Sequence, residues 1–167
     1  HYARRRHAQV TNPSVDPHNE AHMFSTRVTL GKLYGFFAPE SILWEHDAKV
    51  IELEDPILSG PRFAWLCNQE RVATLAVTYP ADEGTAGARW RLEELNREAA
   101  EAVEKGCRVV ILTDRGLEAD EARLDMLLAV SGVHQTLNRS GLRPQAGLVA
   151  DTGMARLEHD IACLIGC

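Results

Sequence analysis

Three short stretches carry the polar residue types that do chemistry at the carboxyl ends of parallel strands: residues 79–84, 113–116 and 151–153. Asp114 beside Arg115 can bind a polar ligand, or hold a neighbouring domain, through charge-assisted hydrogen bonds. The same two residues can instead pair with adjacent loops and helix ends to fix the sheet rim, and this is the preferred reading. Asp151-Thr152-Gly153 suits an anion if a helix begins just after it, because free backbone N–H groups point outward there. A helix cap by Asp151 or Thr152 is the plainer alternative and is favoured. His134 and His159 fall in helical pattern with no nucleophile or carboxylate partner marked in sequence, so each reads as structural. Of Cys67, Cys107, Cys163 and Cys167, two sit in apolar stretches that read as core. Cys163 and Cys167 are spaced to share a helical face, but no second Cys or His pair completes a metal set, and the four read as reduced thiols. There is no GxGxxG and no Walker sequence, hence no nucleotide motif. By its own residues the segment announces no reaction.

The elements that must position these loops are legible from residue 72 onward. Residues 72–78 (VATLAVT) form a short run rich in β-branched residues, as a buried parallel strand requires. After a loop at 79–84, Leu92, Leu95, Ala99, Ala102 and Val103 lie on one helical stripe, with Gly106 as its stop. Residues 108–112 (RVVIL) predict a second strand. A helix is then expected over about 121–138, carrying Leu124, Leu127, Leu128, Val133 and Leu137, with Gly141 beyond its end. Residues 146–150 (AGLVA) predict a third strand, and a last helix is expected from about Ala155 with Leu157, Ile161 and Leu164. Three strand–helix units in a row, with no repeated sequence beneath them, predict an α/β fold with a mostly parallel sheet and right-handed crossovers.

The first third is different. Over residues 1–60, Pro13, Pro17, Pro39 and Pro56 interrupt any long periodic element, and residues 12–17 read as a turn-rich loop. Residues 49–53 alternate in part and suggest a short strand; residues 23–44 read as loops and short turns. The whole, 1–167, is taken as one domain. At 167 residues, 45% hydrophobic and 25% charged, it is long enough to bury a core of its own. A net charge of −6 argues against a nucleic-acid partner, which calls for a basic face. The Arg4-Arg5-Arg6 run reads as a solvated surface. No run approaches the roughly 20 apolar residues that span a bilayer, and the charged amino terminus is unlike a signal peptide. A cytoplasmic location is therefore expected. With His1 in first place and an apolar finish at Ile165-Gly166-Cys167, the chain reads as a piece of a longer one.

Several stretches, in order, resemble the large subunit of glutamate synthase, in the domain between its amidotransferase and flavin domains. Residues 8–13 (AQVTNP) with Asp16-Pro17 are similar to the family's AQVTNPPIDP, and residues 53–58 (LEDPIL) to LxSPIL. Tyr79-Pro80 with Glu83-Gly84 resembles T[FY]PxxEG, and residues 111–116 (ILTDRG) resemble ILSDRG. Leu127-Leu128-Ala129 with Val133-His134, then residues 139–143 (RSGLR), match LLAxxAVH and RxGLR; Thr152-Gly153 with Ala155-Arg156, and Leu164-Ile165-Gly166, match TGxAR and LIG. Departures mark a divergent member. Asn19 stands where the family has Arg, two histidines are missing after His134, and residues 158–167 differ from VHHFALLIGYGA.

The resemblance implies a role within a larger enzyme that converts glutamine and 2-oxoglutarate into two glutamates. It implies flanking amidotransferase and FMN domains in the same chain, an iron–sulfur cluster beside the FMN, and an electron-donating subunit or ferredoxin. It implies no catalytic, cofactor or metal residue in this segment, which would connect the two sites and help wall an ammonia tunnel. On that reading Gln9, Thr11 and Asn12 of the entry loop are tunnel or interface candidates, because uncharged polar groups can hydrogen-bond neutral ammonia, and Asp114 and Arg115 are candidates through charge-assisted hydrogen bonds. Equally, the three can cap turns before Pro13 and Pro17. Two rival readings stand beside the connector: a free-standing binding module on the same fold, and a small α/β enzyme using the Asp114 loop. A connector should expose apolar surface to its neighbours, a module should have a self-contained polar surface, and an enzyme should have a deep pocket with perturbed titratable groups.

Overall fold

A computed structural model describes Glu20, residues 24–31 and residues 50–167. Its centre is a three-stranded parallel sheet of β3 (Val72–Ala76), β5 (Val109–Thr113) and β7 (Gly147–Asp151), in the order β3-β5-β7. Val72, Val109 and Gly147 stand in register, as do Ala76, Thr113 and Asp151. All five residues of β5 are buried, which is why this strand is a continuous apolar run and not an alternating one. Its side chains still alternate in direction. Val110 and Leu112 enter one core with Leu95, Ala99, Val133 and Leu137, while Val109 and Ile111 enter another with Leu30, Leu53 and Leu66.

The first core is roofed by α2 (Gly84–Glu104) and α3 (Met126–Arg139), which pack side by side. Leu95, Ala99 and Val103 form the buried stripe of α2, and Arg91 joins it at one end. The Arg91 guanidinium is spent locally: Nε and Nη2 donate to the Ala76 carbonyl at 3.1 and 2.7 Å, and Nη2 reaches Glu98 at 2.8 Å. Asp125 caps α3 by accepting from Leu128 N–H at 3.0 Å. Both helices end on the same device. Past α2, Gly106 N–H bonds the Val103 carbonyl and Cys107 N–H the Ala102 carbonyl; past α3, Gly141 and Leu142 do the same to Asn138 and Leu137. This paired bonding needs a left-handed residue, supplied by Gly106 at φ 95° and Gly141 at φ 70°. The two stops expected from sequence are thus the residues that turn the chain.

The second core is covered by the antiparallel pair β1 (Val28–Leu30) and β2 (Ile51–Leu53) and by α1 (Gly60–Cys67). Neither β1 nor α1 was legible as an element, whereas β2 falls in the short strand expected at 49–53. Finally, α4 (Glu158–Gly166) follows β7 and packs on α3. It starts where the Asp160 carboxylate accepts the N–H groups of Arg156 and Leu157, both at 3.0 Å.

Two expectations need correction. Residues 121–123 do not begin a helix. They form β6 (Glu121–Arg123), antiparallel to β4 (Thr78–Pro80), so the stretch expected to be loop at 79–84 contains a strand residue pair and a single 3-10 turn, with α2 starting at Gly84. The reason is tertiary: Val77 N–H bonds Thr113 O and Leu124 N–H bonds Val77 O, both at 2.9 Å, extending β3 into a ribbon. Likewise Asp151 and Thr152 cap no helix, because α4 begins only at Glu158.

Candidate functional site

The loops after β5 and β7 meet at the carboxyl edge of the sheet and tie to each other. Arg115 grips Asp151 with both teeth of its fork, Nε to Oδ2 at 2.8 Å and Nη2 to Oδ1 at 2.7 Å. Thr113 Oγ1 donates to the same Oδ2 at 2.7 Å and accepts the Arg115 N–H at 3.0 Å. The neighbouring carboxylate, Asp114, is buried. It accepts Thr152 Oγ1 at 2.6 Å and the Gly153 N–H at 3.1 Å, while its own N–H reaches the Asp151 carbonyl at 3.1 Å. Arg123 of β6 brings a cation to 3.6 Å from Asp114 Oδ2. Outside the fork, the Arg115 guanidinium lies 5.5 Å over the Phe63 ring of α1.

The two acidic residues therefore bind neighbouring loops, each acting across roughly the same length of chain. The side chain of Asp151 is 13% exposed and that of Arg115 is 72% exposed, so one member is sheltered and the other faces outward. The Arg115 hydrogen bonds hold the Asp151 carboxyl below the usual carboxylate range, helped by Thr113 and opposed by burial. A depressed folded-state pKa stabilises the fold above the unfolded value of about 3.9 and loses that contribution as pH falls through the folded value. Replacing Arg115→Gln is expected to raise the Asp151 pKa and move the acid limb of the stability curve to higher pH. Carboxyl-detected NMR titration of Asp151, with acid unfolding followed in parallel, checks it; an unchanged Asp151 titration would contradict the assignment.

The remaining candidates separate. His134 Nδ1 accepts from Arg143 Nε at 3.1 Å, and its Nε2 lies 2.7 Å from the Asn138 side-chain amide nitrogen. Its ring is thus held between Arg143 and Asn138. His159 stands on α4 with its Nε2 at 3.6 Å from Cys163 Sγ. The expectation of two core cysteines is corrected: Cys67 is exposed and Cys107, Cys163 and Cys167 are half-buried, all free. Among the described residues no group of three or more His, Cys, Asp or Glu is placed to hold a metal, and no helix is long and apolar enough to cross a membrane. Gln9, Thr11 and Asn12 lie outside the described residues. Sequence reading singled out Asp114 and Arg115 but assigned Asp151 and Thr152 to capping. Their partners are 36 and 38 residues away, and no local pattern signals such pairs.

A sequence model described as the glutamate synthase central domain matches residues 1–167, the whole chain. The chain belongs to the glutamate synthase central domain family. Among its relatives, the NADH glutamate synthase of Saccharomyces cerevisiae is 32% identical over 174 residues, covering 99% of this chain and 8% of the relative. Ferredoxin-dependent glutamate synthase 2 of Synechocystis sp. is 34% identical over 170 residues, and the chloroplastic ferredoxin-dependent enzyme of Spinacia oleracea is 34% identical over 172. Each again covers 99% of this chain, with 11% and 10% of the relative matched. The chain thus spans about a tenth of the length of the curated relatives it matches. For a glutamate synthase central domain, the tied rim of Asp114, Arg115, Asp151 and Thr152 is the part of the described structure where strand-end loops converge.

Proposed function

We propose that this central domain connects an amidotransferase domain and an FMN domain of one glutamate synthase chain and helps wall the tunnel carrying ammonia between them. The overall reaction would be glutamine plus 2-oxoglutarate plus reductant to two glutamates. FMN and an iron–sulfur cluster would belong to the flanking domains, with a separate electron-donating subunit or ferredoxin as reductant. The observation that carries this reading is the end-to-end family match in a chain that spans only 8–11% of its relatives. Apolar side chains left open to solvent agree with it: Ile57, Trp90, Leu128 and Ile165 are each more than half exposed, as a piece meeting other domains would show. Asp114 and Arg115 would serve by holding the rim rigid beside the neighbouring domain, and Gln9, Thr11 and Asn12 by lining the passage.

The test uses the intact enzyme containing this domain. Alanine variants at Gln9, Thr11 and Asn12 are expected to keep glutamine hydrolysis and ammonia-dependent glutamate synthesis. Glutamine-dependent synthesis should drop several-fold, with free ammonia appearing in solution. If glutamine-dependent synthesis stays fully coupled in all three variants and in Arg115→Gln, the tunnel reading is wrong.

A further inference from the structure

Helix α4 carries His159 and Cys163 one turn apart. Side chains four residues apart on a helix stand over one another on the same face. Here they meet: His159 Nε2 and Cys163 Sγ are 3.6 Å apart. His159 is exposed and Cys163 half-buried, so the pair can be reached from solvent. Neither residue belongs to the two cores or to the tied rim.

The separation is the one that a shared metal ion requires. Zinc bonds of about 2.3 Å to thiolate sulfur and about 2.05 Å to imidazole nitrogen, set at about 109°, place the two donors about 3.5 Å apart. The observed 3.6 Å corresponds to an angle of about 112° at the metal, with neither side chain moved. The direct contact that the pair makes without a metal is a weak one, because a thiol is a poor hydrogen-bond donor. The two states differ by one proton. Metal binding releases the thiol proton to solvent and leaves thiolate and neutral imidazole as the ligands.

Local charge and donor type both bear on the occupant. The positive end of the helix dipole lies in the first turn of α4 and by itself opposes a cation. Glu158 and Asp160 place two carboxylates in that same turn and offset it. Sulfur beside imidazole nitrogen selects a borderline-soft ion such as zinc over magnesium or calcium, which take oxygen ligands.

We infer that His159 and Cys163 form a two-residue chelate for zinc at the surface of α4, with water completing the coordination. Two protein ligands, against the four of a closed structural site, make the metal exchangeable and leave the fold independent of it. The inference goes beyond the connector role and does not depend on it.

The test is the rate at which iodoacetamide alkylates each cysteine of the intact enzyme, read peptide by peptide by mass spectrometry. In about 100 μM free zinc, Cys163 is expected to react at least about five-fold more slowly, as mass action gives for a dissociation constant of about 25 μM or below. EDTA should restore the rate, and magnesium at the same concentration should leave it unchanged. Cys67, exposed at the end of α1, is the internal reference and should keep its rate in zinc. His159→Ala, a change at an exposed position, should abolish the zinc effect while Cys163 stays reactive. Protection that survives in His159→Ala overturns the inference, as does equal slowing at Cys67. A Cys163 rate unmoved by zinc, or a thiol closed to iodoacetamide by a neighbouring domain, overturns it as well.

Discussion

Asp114→Ala is expected to lower the free energy of unfolding by about 2–4 kcal/mol, because it removes a charged acceptor of two hydrogen bonds and strands their donors. Thr152 Oγ1, at 2.6 Å, and the Gly153 N–H, at 3.1 Å, both lose their partner. The loop after β7 then stays tied to the loop after β5 through Asp151 alone, by the Arg115 fork, the Thr113 hydroxyl and the residue-114 N–H. Urea denaturation reads the loss as a lower midpoint at unchanged slope. Asp114→Asn keeps one carbonyl acceptor and should recover part of the loss. A cost below about 1 kcal/mol for the alanine variant would place it among ordinary surface changes and show that the rim is held elsewhere.

Leu112→Ala is the second large effect, about 3 kcal/mol within the 2–5 range for leucine truncation in a packed core. Leu112 is fully buried on the central strand, in the core shared with Leu95 and Val133. Sheet on one side and two helices on the other leave little room for collapse, so most of the vacated space persists as a cavity. Leu127→Ala is the control: on the exposed side of α3 at 38% exposure, it should cost less than about 1 kcal/mol. Equal losses for the two variants in the same denaturation series would contradict the assignment of the core.

What could be read in advance divides by the range of the interaction that decides it. β3, β5 and β7 were legible because 72–76, 109–113 and 147–151 are short, mostly apolar runs, although only β5 is buried along its whole length and β3 keeps Thr74 and Ala76 exposed. α2 was legible from its stripe, and the turns at Gly106 and Gly141 from glycine alone. β6 was misread because Glu121, Ala122 and Arg123 favour helices, while their pairing with Pro80, Tyr79 and Thr78 is decided far along the chain, 43 residues away for the central pair Tyr79–Ala122. α1 was missed since Gly60-Pro61 looks like a break, although proline in the first turn of a helix is well placed. At the rim, Asp114 and Arg115 stood out by type, but Asp151 and Thr152 were assigned to the nearest helix, which is the only partner a local reading offers.

The coincidence of strand order with chain order has a consequence for biosynthesis. Matched residues of β5 and β7 are 38 apart, a length that a ribosome makes in roughly 2–8 s at about 5–20 residues per second. Helices and loops form in microseconds or less, so each unit has time to dock on the strand before it while the next is still being translated. The nascent sheet would grow outward from one side, never needing to insert a strand between two already joined. Its vulnerable place at any moment is its newest strand, so a pause in translation just after β7 would leave the outer edge of that strand waiting as a template for the wrong chain.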